Sequence, residues 1–104
     1  MTPEKSVQNR IMNYLKKLED EGYPCYHERR QAGGFSYKKG IPDIYAVFNG
    51  IHIEIEVKRP GGELSSMQEK WRDKCKQRKI YWCCVDSLED FKFYMHSIFP
   101  EFIF

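Results

Sequence analysis

The strongest constraint on this chain is Asn49-Gly50, set between two short runs of alternating apolar residues. Asn-Gly suits a two-residue type I′ loop, in which both central residues take positive φ. Such a loop fixes register, so pairing runs outward from Phe48 opposite Ile51. Ala46 then faces Ile53 and Ile44 faces Ile55, and that side of the hairpin is wholly apolar. On the other side Val47 faces His52, Tyr45 faces Glu54, and Asp43 faces Glu56. Directly opposed residues have Cβ atoms about 5 Å apart, where like charges destabilise a sheet. A divalent cation held between the two carboxylates removes that repulsion. Lys58 lies two residues past Glu56 on the same side, roughly 7 Å further along the strand. Asp, Glu and Lys beside a metal are the groups that phosphodiester hydrolysis needs.

The segments around the hairpin read as one domain at 104 residues. Thr2 is placed to cap a first helix, with Pro3 at a position where its missing N–H costs nothing. Val7, Ile11, Tyr14, Leu15 and Leu18 form its apolar stripe; Gly22 and Pro24 end it. Glu4 points into that stripe and Gln8 lies one turn on, at its edge. A carboxylate at the end of a core-facing stripe is expensive without a partner. A strand follows from Cys25 to Arg29, then a loop over 30–41 carrying Gly33, Gly34 and Gly40. After the hairpin of 42–58, Pro60-Gly61-Gly62 breaks the chain. Ser65 and Gln68 make a capping box for a second helix to about Arg78, with Met67, Trp71 and Cys75 as its buried row. Ile80–Val85 is a nearly continuous apolar run, as expected of a central or doubly covered strand. Ser87 opens a third helix with Leu88, Phe91, Met95 and Ile98 on its core side, and Pro100 ends it. The tail Glu101-Phe102-Ile103-Phe104 is too apolar to hang in water, so it either folds back or meets a partner subunit. The order is αβββαβα, an α/β arrangement with a mixed sheet and helices on its faces.

Composition removes several classes. No apolar run approaches the ~20 residues needed to span a bilayer. Residues 1–20 read as a charged amphipathic helix rather than an export signal, so a cytoplasmic protein is expected. Cys25, Cys75, Cys83 and Cys84 form no CxxC pair or zinc-type spacing, and read as reduced thiols. Net charge is only +2, which by itself does not announce a nucleic-acid binder. Local charge says more. Arg29, Arg30, Lys38 and Lys39 flank the glycine-containing loop, and Lys70, Arg72, Lys74, Lys76, Arg78 and Lys79 crowd the region from Lys70 to Lys79. Such a charge run is more often a solvated helix face than a binding site; two clusters bracketing a carboxylate pair strengthen the case for a phosphate-backbone contact.

Each residue also has a plainer reading. Asp43 after Pro42 suits a turn or strand-end cap. Glu56 and Lys58, with His52 and Glu54 on the same side, suit a solvent-facing strand. Gln68 is accounted for by the capping box, and both roles are compatible. His27 reads as satisfied or solvated, and His96 is assigned no role.

Taken together, Asp43 followed by Glu56-Val57-Lys58 resembles the PD-(D/E)xK nuclease superfamily, with the Pro42-Asp43 dipeptide literal. Finer features resemble its VRR-NUC family, the virus-type replication-repair nucleases. These are Glu4 with Gln8, Gly40-Ile41-Pro42-Asp43, and Glu56-Val57-Lys58-Arg59-Pro60-Gly61-Gly62 followed by Leu64-Ser65 and Gln68. The resemblance covers residues 4 to about 85 and implies a restriction-endonuclease-like αβββαβ core. It implies a Mg²⁺- or Mn²⁺-dependent DNA endonuclease, with Asp43, Glu56 and the Val57 carbonyl on the metal and Glu4 completing the cluster directly or through water. Lys58 would position or activate the attacking water, as base or electrostatic clamp, and Gln68 would orient the site. Short members look like homodimers that act on branched DNA such as Holliday junctions. Arg29, Arg30, Lys38, Lys39 and Arg59 are the expected DNA contacts, and Phe99–Phe104 the expected part of a dimer interface. Glu54 departs from the pattern, which favours a small or apolar residue there; it either extends the acidic cluster or faces water. Competing readings are a non-catalytic DNA-binding subunit with this fold, and a nuclease acting on flaps, duplex or RNA.

Overall fold

The computed structural model describes residues 1–30 and 40–102. Its elements are α1 (Pro3–Asp20), β1 (Cys25–Arg29), β2 (Ile44–Phe48), β3 (Ile51–Val57), α2 (Ser66–Gln77), β4 (Tyr81–Val85) and α3 (Leu88–Ile98). The order is the one expected. The four strands lie side by side as β1-β2-β3-β4. The first two pairings are antiparallel and β3–β4 is parallel, so the sheet is mixed.

Local chemistry explains the boundaries. The Thr2 side chain accepts from the Lys5 N–H, worth about 1 kcal/mol in such caps, and Pro3 opens α1. Gly22 takes φ +93 just past the helix, a conformation that disfavours any side chain. Asn49 and Gly50 both take positive φ, and the hairpin register from Phe48–Ile51 to Ile44–Ile55 is the expected one.

Alternation then sorts the side chains. Ile44, Ala46, Phe48, Ile53, Ile55, Val57, Cys83 and Val85 line one face, covered by Ile11, Leu15 and Leu18 of α1 and Phe91 and Met95 of α3. Burying each of the three strand isoleucines, all at 0% exposure, contributes roughly 1.5–3 kcal/mol. The second face carries Arg30, Asp43, Tyr45, Glu54 and Glu56, and α2 approaches part of it: Gln68 bonds Glu56, and Cys75 lies within the field of Glu54 and Arg30.

Two sequence expectations are corrected, and one plainer reading is ruled out. β4 is an edge strand, not a central one; its apolar run alternates in burial, with Tyr81 and Cys84 exposed. Met67 is exposed and Trp71 half-buried, so Cys75 alone of that row is buried, because α2 lies over a polar sheet face that offers little apolar surface. The plainer solvent-facing reading of β3 fails at Glu54 and Glu56, which are both buried, although His52 on the same side is exposed. The tail resolves toward folding back: Phe99 is buried, and Phe102 packs 5.0 Å from the Phe48 ring centre, edge-on. Ile103 and Phe104 lie outside the described residues, as does the expected loop from 31 to 39.

Candidate active site

Asp43 sits just before β2, where its carbonyl accepts from the Arg30 N–H at 2.8 Å. Its carboxylate reaches across to β3, where Oδ2 accepts from the Val57 N–H at 3.4 Å. A strand residue's N–H and C=O point to the same neighbour, so the Val57 carbonyl points to the Asp43 side as well. The approach of this segment to α2 depends on Gly40. A Cβ there would stand 2.5 Å from the Met67 carbonyl carbon and 2.8 Å from the Gln68 nitrogen, and φ is +84. Only glycine lets the segment press against the first turn of α2.

Glu56 is 1% exposed. Its Oε1 accepts from Gln68 Nε2 at 2.5 Å, while the Gln68 Oε1 accepts from the Ser65 N–H at 2.8 Å. Gln68 therefore serves the helix cap and the carboxylate together. Oε2 of Glu56 is buried with no hydrogen-bond partner among the described residues. Burial, then Asp43 and Glu4, push the Glu56 carboxyl up from the usual 4.5 to about 8, against the pull of Lys58. Burial also raises Asp43, with Glu4 adding to it; the Val57 N–H, Lys58 and a Gln8 hydrogen bond oppose it. Glu4, Asp43, Glu56 and Lys58 thus feel one another's charge, with Gln68 bonded to Glu56 and Gln8 to Asp43.

The residues fit a small hard cation. A buried carboxylate oxygen without a donor, next to a second carboxylate held up by burial and like charge, is a pair short of positive charge. Among the described residues no three His, Cys, Asp or Glu side chains converge as a ready cage. Mg²⁺ does not need one; it favours one or two carboxylates with waters and substrate phosphate.

An open cleft of about 840 Å³ leads to Asp43, lined by Glu4, Lys5, Gln8, Arg29, Arg30 and Arg59. A solved structure described as a VRR_NUC domain superposes with a TM-score of 0.69 over 100% of both chains, at 17% sequence identity. The chain has the fold of that VRR_NUC domain. Neither a scan of protein-family models nor a search of curated proteins finds a match.

On this VRR_NUC scaffold the basic residues divide. Arg29 and Arg59 border the cleft, whereas Lys38 and Lys39 lie outside the described residues. Arg30 is drawn inward: its guanidinium makes a bidentate pair with Glu54, at 2.5 and 2.9 Å. Glu54 takes neither course expected of it. Burial alone would raise its carboxyl, but the bonds from Arg30 and His52 hold it below its ordinary value. Sequence reasoning missed this pair. The signal that finds it is the β1–β2 register, which puts Arg30 on the sheet face of Tyr45 and Glu54.

Proposed function

We propose that this chain is a VRR-NUC family enzyme, a single nuclease domain over residues 1–104 that hydrolyses DNA phosphodiester bonds with Mg²⁺ or Mn²⁺. The observation that carries the reading is the buried, unpartnered Oε2 of Glu56 within the Asp43–Glu56–Lys58 cluster, at the end of a cleft edged by arginines.

Asp43, Glu56 and the Val57 carbonyl would hold the cation, and Glu4 would supply the outer negative charge that strengthens its binding. The cation, when bound, supplies positive charge for the scissile phosphate and lowers the pKa of water. Lys58 faces the same carboxylates and either orients the attacking water or stabilises the charge developing on the phosphate. Gln68 fixes the Glu56 rotamer through its amide. Arg29 and Arg59 at the cleft edge suit phosphate contacts, which position the nucleic acid without reading sequence. Lys38 and Lys39 belong to the same proposed contact.

Branched DNA such as a Holliday junction is the proposed substrate, cut by a homodimer whose two symmetric sites address two strands. A cytoplasmic location goes with this reading; among the described residues no helix is long and apolar enough to cross a membrane. The test is cleavage of labelled four-way junction, flap and plain duplex DNA with Mg²⁺, Mn²⁺ or EDTA, for wild type and Lys58→Ala. Metal-dependent cutting of the junction by wild type alone is expected. Junction binding without cutting under either metal points instead to a DNA-binding subunit with a nuclease fold.

A further inference from the structure

The interactions around Arg30 converge on the segment that carries Asp43. The Arg30 backbone N–H donates to the Asp43 carbonyl at 2.8 Å. Its side-chain Nη1 donates to the Pro42 carbonyl at 3.0 Å and to Glu54 Oε1, while Nη2 donates to Glu54 Oε2. One residue thus grips the carbonyls of two successive residues, Pro42 and Asp43, and is itself gripped by a carboxylate two residues before Glu56. The guanidinium lies 4.8 Å over the Tyr45 ring, and that ring stacks on His52 at 5.2 Å with 9° between planes. His52 Nε2 closes the circuit on Glu54 Oε2 at 2.5 Å. The pair is largely out of water, with side-chain exposures of 17% and 10%.

We propose that Arg30, locked by Glu54, is a positioning residue that holds the Pro42-Asp43 segment against β3 so that Asp43 and Glu56 keep their mutual placement. The inference rests on the nuclease reading for its catalytic consequence, but its structural part stands apart from that reading. An arginine serving mainly as a phosphate contact keeps its guanidinium toward solvent. Here three of the five guanidinium N–H groups go to a fixed carboxylate and a main-chain carbonyl, an arrangement a lysine point charge does not reproduce. Small displacements matter in such a site: a shift near 1 Å is enough to cost about 10²-fold in rate.

The test replaces the pair together, Arg30→Met with Glu54→Met, because a single replacement strands a buried charge and risks unfolding. Arg30→Lys is the second variant. Hydrogen exchange of the metal-free protein, read by NMR, reports the Val57 amide that donates to Asp43 and the residue 30 amide that donates to its carbonyl. The Phe99 amide, bonded to Met95 in a distant part of the fold, is the control for global stability. Both site amides should lose at least about tenfold protection relative to Phe99. Mn²⁺ binding by calorimetry should weaken about tenfold or more, and kcat on junction DNA should fall at least about tenfold with KM within about twofold. Arg30→Lys should recover little of this. Unchanged protection at Val57 overturns the proposal, whatever the activity. So does a rise in KM with unchanged kcat, which makes Arg30 a DNA contact. Loss of protection in a protein that, as wild type, cuts no DNA keeps the positioning role and removes the nuclease reading.

Discussion

Replacing Glu56 by Gln should make the metal-free protein more stable at alkaline pH. The wild-type carboxyl binds its proton up to about pH 8 in the fold, against an ordinary 4.5. Between those values the native state holds one more proton than the unfolded chain, so stability falls as pH rises through that window. Each pKa unit corresponds to about 1.4 kcal/mol, and the whole window to up to about 5 kcal/mol. Below the window the protonated Glu56 carboxyl and a glutamine amide are near-isosteric and the two proteins should match, since the amide oxygen still accepts from Gln68. Above it the variant carries no buried charge and should be the more stable. Urea denaturation in EDTA at several pH values from about 4 to about 9 gives the difference curve directly. Adding Mn²⁺ at the alkaline end should restore the wild type and leave the variant unmoved. A difference curve that stays flat across the window would refute the reasoning, because it would mean that Glu56 ionises in the fold as readily as in the open chain.

Other outcomes follow from the same geometry. Lys58→Ala should fold and bind DNA but lose about 10²–10³ in kcat, measured on labelled junction DNA; full activity removes Lys58 from the site. Gly40→Ala should cost about 2 kcal/mol or more by urea denaturation, since positive φ alone disfavours a side chain by about 1–2 kcal/mol and the new Cβ meets α2 backbone. Phe102→Ala should cost about 2 kcal/mol, less than the ~3–5 of a fully buried phenylalanine, and leave the oligomeric state by light scattering unchanged, because its ring packs within its own protomer.

The hairpin was legible because one dipeptide sets the φ signs, hence the register, hence the opposition of every later pair. The helix caps were legible for a similar reason: each is decided within a few residues. β4 was misread because an apolar hexapeptide looks alike at the centre and at the edge of a sheet; strand order, a long-range property, decides between them. Met67 was misread because period places a residue on a face but does not say what that face meets. The Arg30–Glu54 pair was out of reach because its partners stand 24 positions apart. Their meeting depends on how β1 registers on β2 across a long connection, where no turn chemistry fixes the offset. Glu54 itself was the visible sign, an acidic residue where the pattern favours an apolar one.

Gln68 has both ends of one amide committed, the oxygen to the main chain of Ser65 and the nitrogen to Glu56. That leaves the position a single chemical solution. Asparagine is one methylene too short to span the cap and the carboxylate together. Glutamate keeps the cap but turns a donor into a second negative charge, and methionine or leucine abandons both ends. A lineage drifting away from glutamine here must therefore rebuild the helix start and the carboxylate's surroundings in one step, so the local grammar of a helix cap also guards the chemistry behind it.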